Sequence, residues 1–397
     1  MVNVPIMKVL HIITCLNNGG AEGVLYRLST NDNQNNHQII SLMDNGVFGE
    51  KLAMSGIPVH TLNMPHGQIT IKSFIMLYRL IRSIRPDVVQ TWMYHSNLIG
   101  GLAAKLARVN AIVWGVRGLF NDSVNTSQKT QFIMKCCALS SGWIPRRIIF
   151  NSMRAAQAHM AKGYSEQKVI IIPNGYNIME LRADHSARVK FRAELGISQN
   201  EVLLGMVARW HPQKDHANLI SALGLLKNHT SSHWKAVLVG PGITNDNTDL
   251  ISLLDFHGLR NRIQLFGPCS DISGVMNAID IHILSSSDGE AFPNVLAESM
   301  ACGTPCITTD IGDAAFIVSN LGWVVQPGDH FSLSNAITLA LVEKQNEPNV
   351  WESRKASCRK RIEENFNIEK MVNDFNLTWK KVVTGEFTPP KKYEKKL

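Results

Sequence analysis

The stretch Ile283-Leu284-Ser285-Ser286-Ser287-Asp288-Gly289-Glu290-Ala291-Phe292-Pro293-Asn294-Val295-Leu296-Ala297-Glu298-Ser299-Met300 decides how the chain is read. Upstream of it, Ala278 to Leu284 is a short apolar run that predicts a strand. Downstream, Val295, Leu296, Ser299 and Met300 recur at helical spacing, and Pro293 suits a first helical turn. The serine-rich piece between is therefore a strand-to-helix loop of small residues. Its backbone N–H groups would gather where a helix N-terminus attracts phosphate. Glu290 lies in that loop and Glu298 in the helix. Carboxylates repel phosphate, so they are assigned to hydroxyl groups, and a ligand with both parts is a nucleotide sugar. Strand, small turn and helix occur throughout α/β proteins, so the stretch takes its weight from what precedes it.

Working outward, the same alternation recurs twice. Lys8 to Thr14 reads as a strand, followed by a turn with Gly19, Gly20 and Gly23 and then a helix through Val24, Leu25 and Leu28. This is the opening unit of a Rossmann-like sheet, although the glycines do not follow the dinucleotide spacing. Strands are expected at His37–Leu42, Val59–Leu62, Pro86–Thr91, Ala111–Val116, Arg147–Ser152 and Val169–Ile172, closing at Pro173-Asn174-Gly175. From Asn121 to Pro145 the pattern predicts a loop and then a helix. After Arg182 the alternation restarts, with strands at Val202–Ala208, Trp234–Val239, Ile263–Gly267, Ala278–Leu284, Pro305–Thr309 and Trp323–Val325. Residues Trp351 to Val383 are helical in character. Two such arrays predict an α/β protein of two Rossmann-like, doubly wound domains facing each other across a cleft.

Composition bounds the class. The 397 residues are 45% hydrophobic and 18% charged, ordinary for a globular protein of this size. No apolar run reaches the roughly 18–20 residues that a membrane span needs, and Met1 to Lys8 lacks a signal-peptide pattern. A cytoplasmic protein is expected. Seven cysteines without paired spacing argue against a disulfide framework or a zinc site. The net charge of +8 suits phosphorylated ligands or an anionic membrane face. No zinc-finger pattern or aromatic RNA-binding signature is present, so nucleic acid is not an expected partner. The segment Ile69–Ile84 predicts an amphipathic helix with Lys72, Arg79 and Arg82, suited either to an anionic membrane surface or to plain solvent.

The candidate chemistry gathers at expected strand ends. Arg209 and Lys214 share one loop stiffened by Pro212, where a guanidinium and an ammonium would hold a diphosphate. His95 follows the strand ending at Thr91, and Arg117 follows the strand ending at Val116. Gly19 and Gly20 would let a ligand approach the backbone closely. Asp288-Gly289-Glu290 is the nearest approach to a metal-binding Asp-x-Asp, and no metal is expected.

Gly19-Gly20-Ala21-Glu22, Ile172-Pro173-Asn174-Gly175, Arg209 with Lys214, and Glu290 with Glu298 at E-x7-E spacing together resemble the family 4 retaining glycosyltransferases of GT-B fold, in family order from about Val9 to Trp379. The subgroup that builds bacterial surface polysaccharides is the most similar. The resemblance implies that Arg209 and Lys214 hold the donor diphosphate and that Glu290 binds donor-sugar hydroxyls. Gly289 and the backbone N–H groups of Ala291, Phe292 and Asn294 would lie near sugar or phosphate. Glu298 would accept from the ribose, and Gly19 and Gly20 would admit the donor phosphate. Many members carry a histidine where this chain has Arg117, so Arg117 and His95 are both carried as candidates for the polar catalytic partner. Retention there is explained by front-face departure and attack, without an enzyme nucleophile.

The resemblance further implies no cofactor, a UDP- or GDP-linked donor as substrate, a lipid-linked saccharide acceptor and peripheral contact with the inner membrane. Domains are expected at 1–178 for the acceptor, 179–375 for the nucleotide sugar, and 376–397 for a helix end returning to the first domain with a basic tail. Two rivals stand beside a hexose or N-acetylhexosamine transferase of O-antigen or capsule assembly. One is a sugar-nucleotide 2-epimerase; the other is a non-catalytic nucleotide-sugar-binding scaffold.

Overall fold

The computed structural model describes residues 6–65, 70–119, 127–229 and 233–386. Ile69, residues 121–126 of the expected loop and the basic tail from Pro389 lie outside them. The chain divides into two compact units, Met1–Gly175 with Ile368–Leu397, and Tyr176–Asn367.

The first unit runs β1 (Lys8–Ile13), α1 (Gly20–Asn31), β2 (Asn36–Ser41), α2 (Gly46–Met54), β3 (Val59–Thr61), α3 (Ile71–Ile84), β4 (Val88–Trp92), α4 (Met93–Leu106), β5 (Ile112–Val116), α5 (Gln128–Ser140), β6 (Arg147–Phe150), α6 (Met153–Ala161) and β7 (Val169–Ile171). The second runs α7 (His185–Glu194), β8 (Val202–Val207), α8 (His216–His229), β9 (Trp234–Val239), α9 (Thr248–Phe256), β10 (Ile263–Leu265), α10 (Ile272–Ala278), β11 (Ile281–Leu284), α11 (Asn294–Ala301), β12 (Cys306–Thr309), α12 (Ala314–Val318), β13 (Trp323–Val325), α13 (His330–Asn346) and α14 (Pro348–Asn365). A last helix, α15 (Ile368–Thr384), belongs to the first unit. The boundary drawn from the sequence at 375/376 falls inside it.

The first sheet has the order β3-β2-β1-β4-β5-β6-β7 and the second β10-β9-β8-β11-β12-β13, with every pairing parallel. Both units are thus Rossmann-like and doubly wound, as the alternation in the sequence indicates. Strands covered on both faces are mostly apolar, and β4 and β5 are buried at every position, Gln90 and Thr91 of β4 included. The order reverses between β1 and β4 in one sheet and between β8 and β11 in the other. Such reversals open a crevice at the strand C-termini where ligands bind.

Helix α15 is held on the first unit by one stripe. Ile368, Met371, Val372, Phe375, Trp379 and Val382 recur at helical spacing and are all buried in the core formed with β1, β2 and β4. A polar thread runs beneath it. Trp92 Nε1 donates to His11 Nδ1 at 3.2 Å, so the His11 proton sits on Nε2 and reaches His37 Nδ1 at 2.9 Å. His37 must then donate from Nε2 to Asp32 at 3.0 Å. Asn376 and Trp379 of α15 close the network, donating to Asp32 (3.0 Å) and Gln90 (3.1 Å). Every buried polar atom of this thread has a partner, which is what makes it tolerable inside a core.

In the second unit, Asp280 precedes β11 and is buried against three cations: Arg188 at 2.9 Å, Lys344 at 3.2 Å and Arg192 at 3.3 Å. Burial alone would push its carboxyl up, but Lys344, Arg188, the Leu203 N–H and Arg192 hold it below the usual carboxylate range. The cluster ties α7 and α13 to the edge of the strand that feeds the candidate site.

Candidate active site

Strands β8 and β11 are neighbours, with Ile281 opposite Leu204 and His282 opposite Gly205. Their C-terminal loops, 208–215 and 285–293, therefore emerge side by side at the switch point of the second sheet. The first loop turns through a short 3-10 helix at Pro212–Lys214 and a left-handed Asp215 (φ 48°), whose carboxylate then caps α8 by accepting from Asn218 N at 3.1 Å. Lys214 thus ends the 3-10 turn ahead of α8, with its side chain toward the second loop. The Lys214 ammonium donates to Glu290 Oε1.

The serine run joins the two loops. Ser285 Oγ lies 3.0 Å from the Lys214 carbonyl and 2.9 Å from that of Asp215. Ser287 N donates to the Gln213 carbonyl at 2.9 Å. Ser286 points the other way and donates from Oγ to Glu290 Oε1 at 2.9 Å. The N–H of Ser287 is thus spent on the neighbouring loop, and the serine run staples the two loops together. From the opposite side, Thr309 Oγ1 donates to the Ser286 carbonyl at 2.6 Å and Asp313 N to the Ala291 carbonyl at 2.9 Å. Gly312 (φ 54°) passes so close that a Cβ there would sit 2.1 Å from the Glu290 carbonyl oxygen. The Glu290 loop is clamped on both flanks.

The remaining expected donor residues fall around this clamp. Arg209 is exposed and makes no hydrogen bond or ion pair among the described residues. Gly289 (φ 76°) lies against the Gln213 side chain, which a Cβ would meet at 2.5 Å. Phe292 is buried and packs edge-on to Phe366, so its side chain is a core anchor. Asn294 opens α11 and accepts from the Tyr176 hydroxyl at 2.5 Å. Glu298 is half-buried one turn further along the same helix. Gln213 and Ser286 escape sequence reasoning, since nothing in a Ser-Ser-Ser run tells which serine faces which loop.

The first unit holds its own group, at the β1–β4 switch point. Gly19 caps α1 and Gly20 begins it, both exposed. The space beside Gly19 is not open, because the Glu22 carboxylate lies 2.4 Å from where a Cβ would stand. Burial pushes the Glu22 carboxyl up. The segment after β4 is the first turn of α4, entered through Met93 (φ 68°). His95 therefore sits half-buried on a helix. Hydrogen bonds from Thr91 Oγ1 to Asn97 Oδ1 (2.6 Å) and from Asn97 Nδ2 to the Gly115 carbonyl (3.2 Å) bind that turn to the sheet. Arg117 donates to Asn174 Oδ1 at 2.6 Å, with its guanidinium 5.2 Å from the Trp92 ring and 5.4 Å from that of Phe375. Much of its interaction surface is thus already turned inward, onto α15 and the Pro-Asn-Gly turn. Among the described residues no group of three or more His, Cys, Asp or Glu is placed to hold a metal ion, and no helix is long and apolar enough to cross a membrane.

Comparison with known proteins gives a consistent picture. The family model for glycosyl transferases group 1 matches residues 187–357, and that for glycosyltransferase family 4 matches residues 18–180. The chain is 26% identical over 308 residues to the UDP-Gal:alpha-D-GlcNAc-diphosphoundecaprenol alpha-1,3-galactosyltransferase of Escherichia coli, covering 76% of this chain and 77% of that one. It is 24% identical over 288 residues to the N,N'-diacetylbacillosaminyl-diphospho-undecaprenol alpha-1,3-N-acetylgalactosaminyltransferase of Campylobacter jejuni, covering 70% and 73%. Among solved structures, Anabaena Alr3699/HepE in complex with UDP superimposes with a TM-score of 0.82 at 23% identity, over 94% of this chain and 100% of that one.

Proposed function

The chain belongs to the family 4 glycosyltransferases of GT-B fold, and we propose that it moves a hexose or N-acetylhexosamine from a uridine diphosphate sugar to a lipid-linked or glycan acceptor in surface-polysaccharide assembly, with retention at the anomeric carbon. The observation that carries this reading is Lys214 meeting Glu290 beside an uncommitted Arg209, at the switch point of one sheet. Two cations and a carboxylate there match a ligand that is anionic at one end and hydroxylated at the other.

In this reading Arg209 and Lys214 face the diphosphate, whose charge grows as the anomeric C–O bond to phosphate breaks. Cations set in place beforehand stabilise that charge without reorganising. Glu290 accepts from a donor-sugar hydroxyl, and Glu298 from the ribose. The new bond forms between the anomeric carbon and the acceptor oxygen on the face the phosphate leaves, and the acceptor's proton passes to a diphosphate oxygen. The diphosphate charge is assigned to the chain's own cations rather than to a metal, and no cofactor enters. The galactosyltransferase relative's UDP-Gal donor and the UDP held by the structural neighbour support uridine. The diphospho-undecaprenol acceptors in both relatives' names support a lipid-linked acceptor.

A peripheral position at the cytoplasmic face of the membrane belongs to the same reading. Between residues 70 and 168 the chain carries fourteen Lys and Arg against three Asp and Glu. On α3, capped by Thr70, the buried stripe Ser73, Leu77, Ile81 and Ile84 leaves Lys72, Arg79 and Arg82 exposed beside Ile71, Ile75 and Met76. Basic and apolar side chains interleaved on one exposed helix suit an anionic lipid surface.

The test is turnover by the purified protein of UDP-, GDP- and dTDP-linked sugars with a membrane lipid extract, with and without EDTA. Transfer from a UDP-hexose that survives EDTA and is lost in Lys214→Ala and Glu290→Ala is the expected result. Transfer from GDP- or dTDP-sugars alone would remove uridine from the reading. An isomeric nucleotide sugar formed without acceptor would point to an epimerase instead.

A further inference from the structure

We infer that Ser286 is a positioning residue for the donor sugar, acting through Glu290 by confining one carboxylate oxygen so that the other alone is presented to the sugar. This rests on the reading of the Glu290 loop as the donor site. Both donors that reach the Glu290 carboxylate, Lys214 Nζ and Ser286 Oγ, fall on Oε1. No described group bonds Oε2, and the Glu290 side chain keeps 14% of its surface open. Ser286 is fully buried, its carbonyl is held by Thr309, and its hydroxyl has one proton, which goes to Glu290.

Lys214 cannot serve this purpose alone. In the proposed reaction its ammonium turns toward the diphosphate, and an ammonium on a long flexible stem holds no particular orientation of its partner. Ser286 remains in place when Lys214 is shared, so it keeps Oε1 engaged while the donor binds. The single oxygen left accepts from one hydroxyl or from two adjacent ones. The ligand class that fits is a pyranose with a free hydroxyl at that place, since a carboxylate there would face Oε2 with like charge.

Binding of UDP and of UDP-galactose is measured by calorimetry for wild type, Ser286→Ala, Glu290→Ala and the double variant. Comparing the two ligands isolates the sugar's contribution. Ser286→Ala is expected to weaken UDP-galactose about tenfold, to leave UDP within twofold, and to add nothing in the Glu290→Ala background, the mark of two residues acting as one. Thermal unfolding of Ser286→Ala checks that the fold is intact. Equal weakening of UDP and UDP-galactose, or a Ser286→Ala loss that persists without Glu290, would overturn the inference while leaving the donor site standing. If Glu290→Ala leaves both affinities at the wild-type level, the donor-site reading itself fails and takes this inference with it.

Discussion

Lys214 and Glu290 stand 76 residues apart in the chain, and their side chains form an ion pair at the C-terminal edge of one sheet. Each is carried by the loop of a different strand, and only the adjacency of β8 and β11 brings them together. The pair holds the cation in the crevice where β8 and β11 end.

Removing either cation should therefore strike transfer more than folding. Lys214→Ala and Arg209→Ala are each expected to lower kcat by about 10²–10³-fold, the range for deleting one preset electrostatic donor. Lys214→Arg should restore only part of it, because the planar guanidinium does not reproduce a point charge. Steady-state kinetics with unchanged melting temperatures is the check. A loss of stability equal to that of core variants would contradict the assignment.

The clamp on the Glu290 loop depends on a missing side chain. Gly312→Ala places a methyl group against the Glu290 carbonyl in a left-handed backbone, where an L-residue is already strained. A stability loss of at least about 2 kcal/mol is expected, together with reduced transfer, measured by urea unfolding and turnover. Gly328→Ala, also at positive φ (72°) but with open space around it, supplies the comparison and should lose much less.

Asp280 is a different kind of anchor. With three cations and the Leu203 N–H converging on it, Asp280→Ala leaves buried positive charge without its partner. Breaking a buried cluster in this way costs about 3–5 kcal/mol. The expected outcome is a lower urea midpoint for the second unit, with no gain in activity.

Acid should weaken the protein before its carboxylates titrate. Burial holds His11 well below the usual imidazole value of 6.5, with His37 adding to the effect; it holds His159 and His216 at about 4 and His282 at about 3. Each is neutral when folded and takes a proton readily when unfolded, so its contribution is present above pH 6.5 and is lost as the pH falls toward the folded value. By pH 5 each such group costs on the order of 1–2 kcal/mol. Asp32, held at about 2 by bonds from His37, Asn35, Gln34 and Asn376 against the opposing effect of burial, releases its share only below pH 3.8. A steep fall in melting temperature between pH 7 and 5 is expected; a flat profile would show that these imidazoles are not neutral in the fold.

The basic face of α3 can be tested apart from catalysis. Arg79→Glu with Arg82→Glu should reduce cosedimentation with phosphatidylglycerol vesicles at least tenfold, at about 1 kcal/mol per charge near the surface, while phosphatidylcholine vesicles bind neither form. Turnover of a water-soluble acceptor should be unchanged.

Local pattern was enough to determine the strands and the fold class of this protein. Apolar runs such as Ile112–Val116 and Val202–Val207, separated by helical spacing, leave little choice but parallel sheets with covered faces. The cations and carboxylates at strand ends were legible for the same reason, since chemistry in open α/β sheets sits there. Tertiary structure alone decided the rest. Strand order, a long-range property, selected which loops meet, and so brought Lys214 against Glu290. Alternation along Ser285, Ser286 and Ser287, three identical residues, became two functions only because loops from two different strands flank them. The helix at Met93 and the whole of α15 likewise took their places through contacts with distant residues, Gly115 for one and Asp32 and Gln90 for the other, that no local window contains.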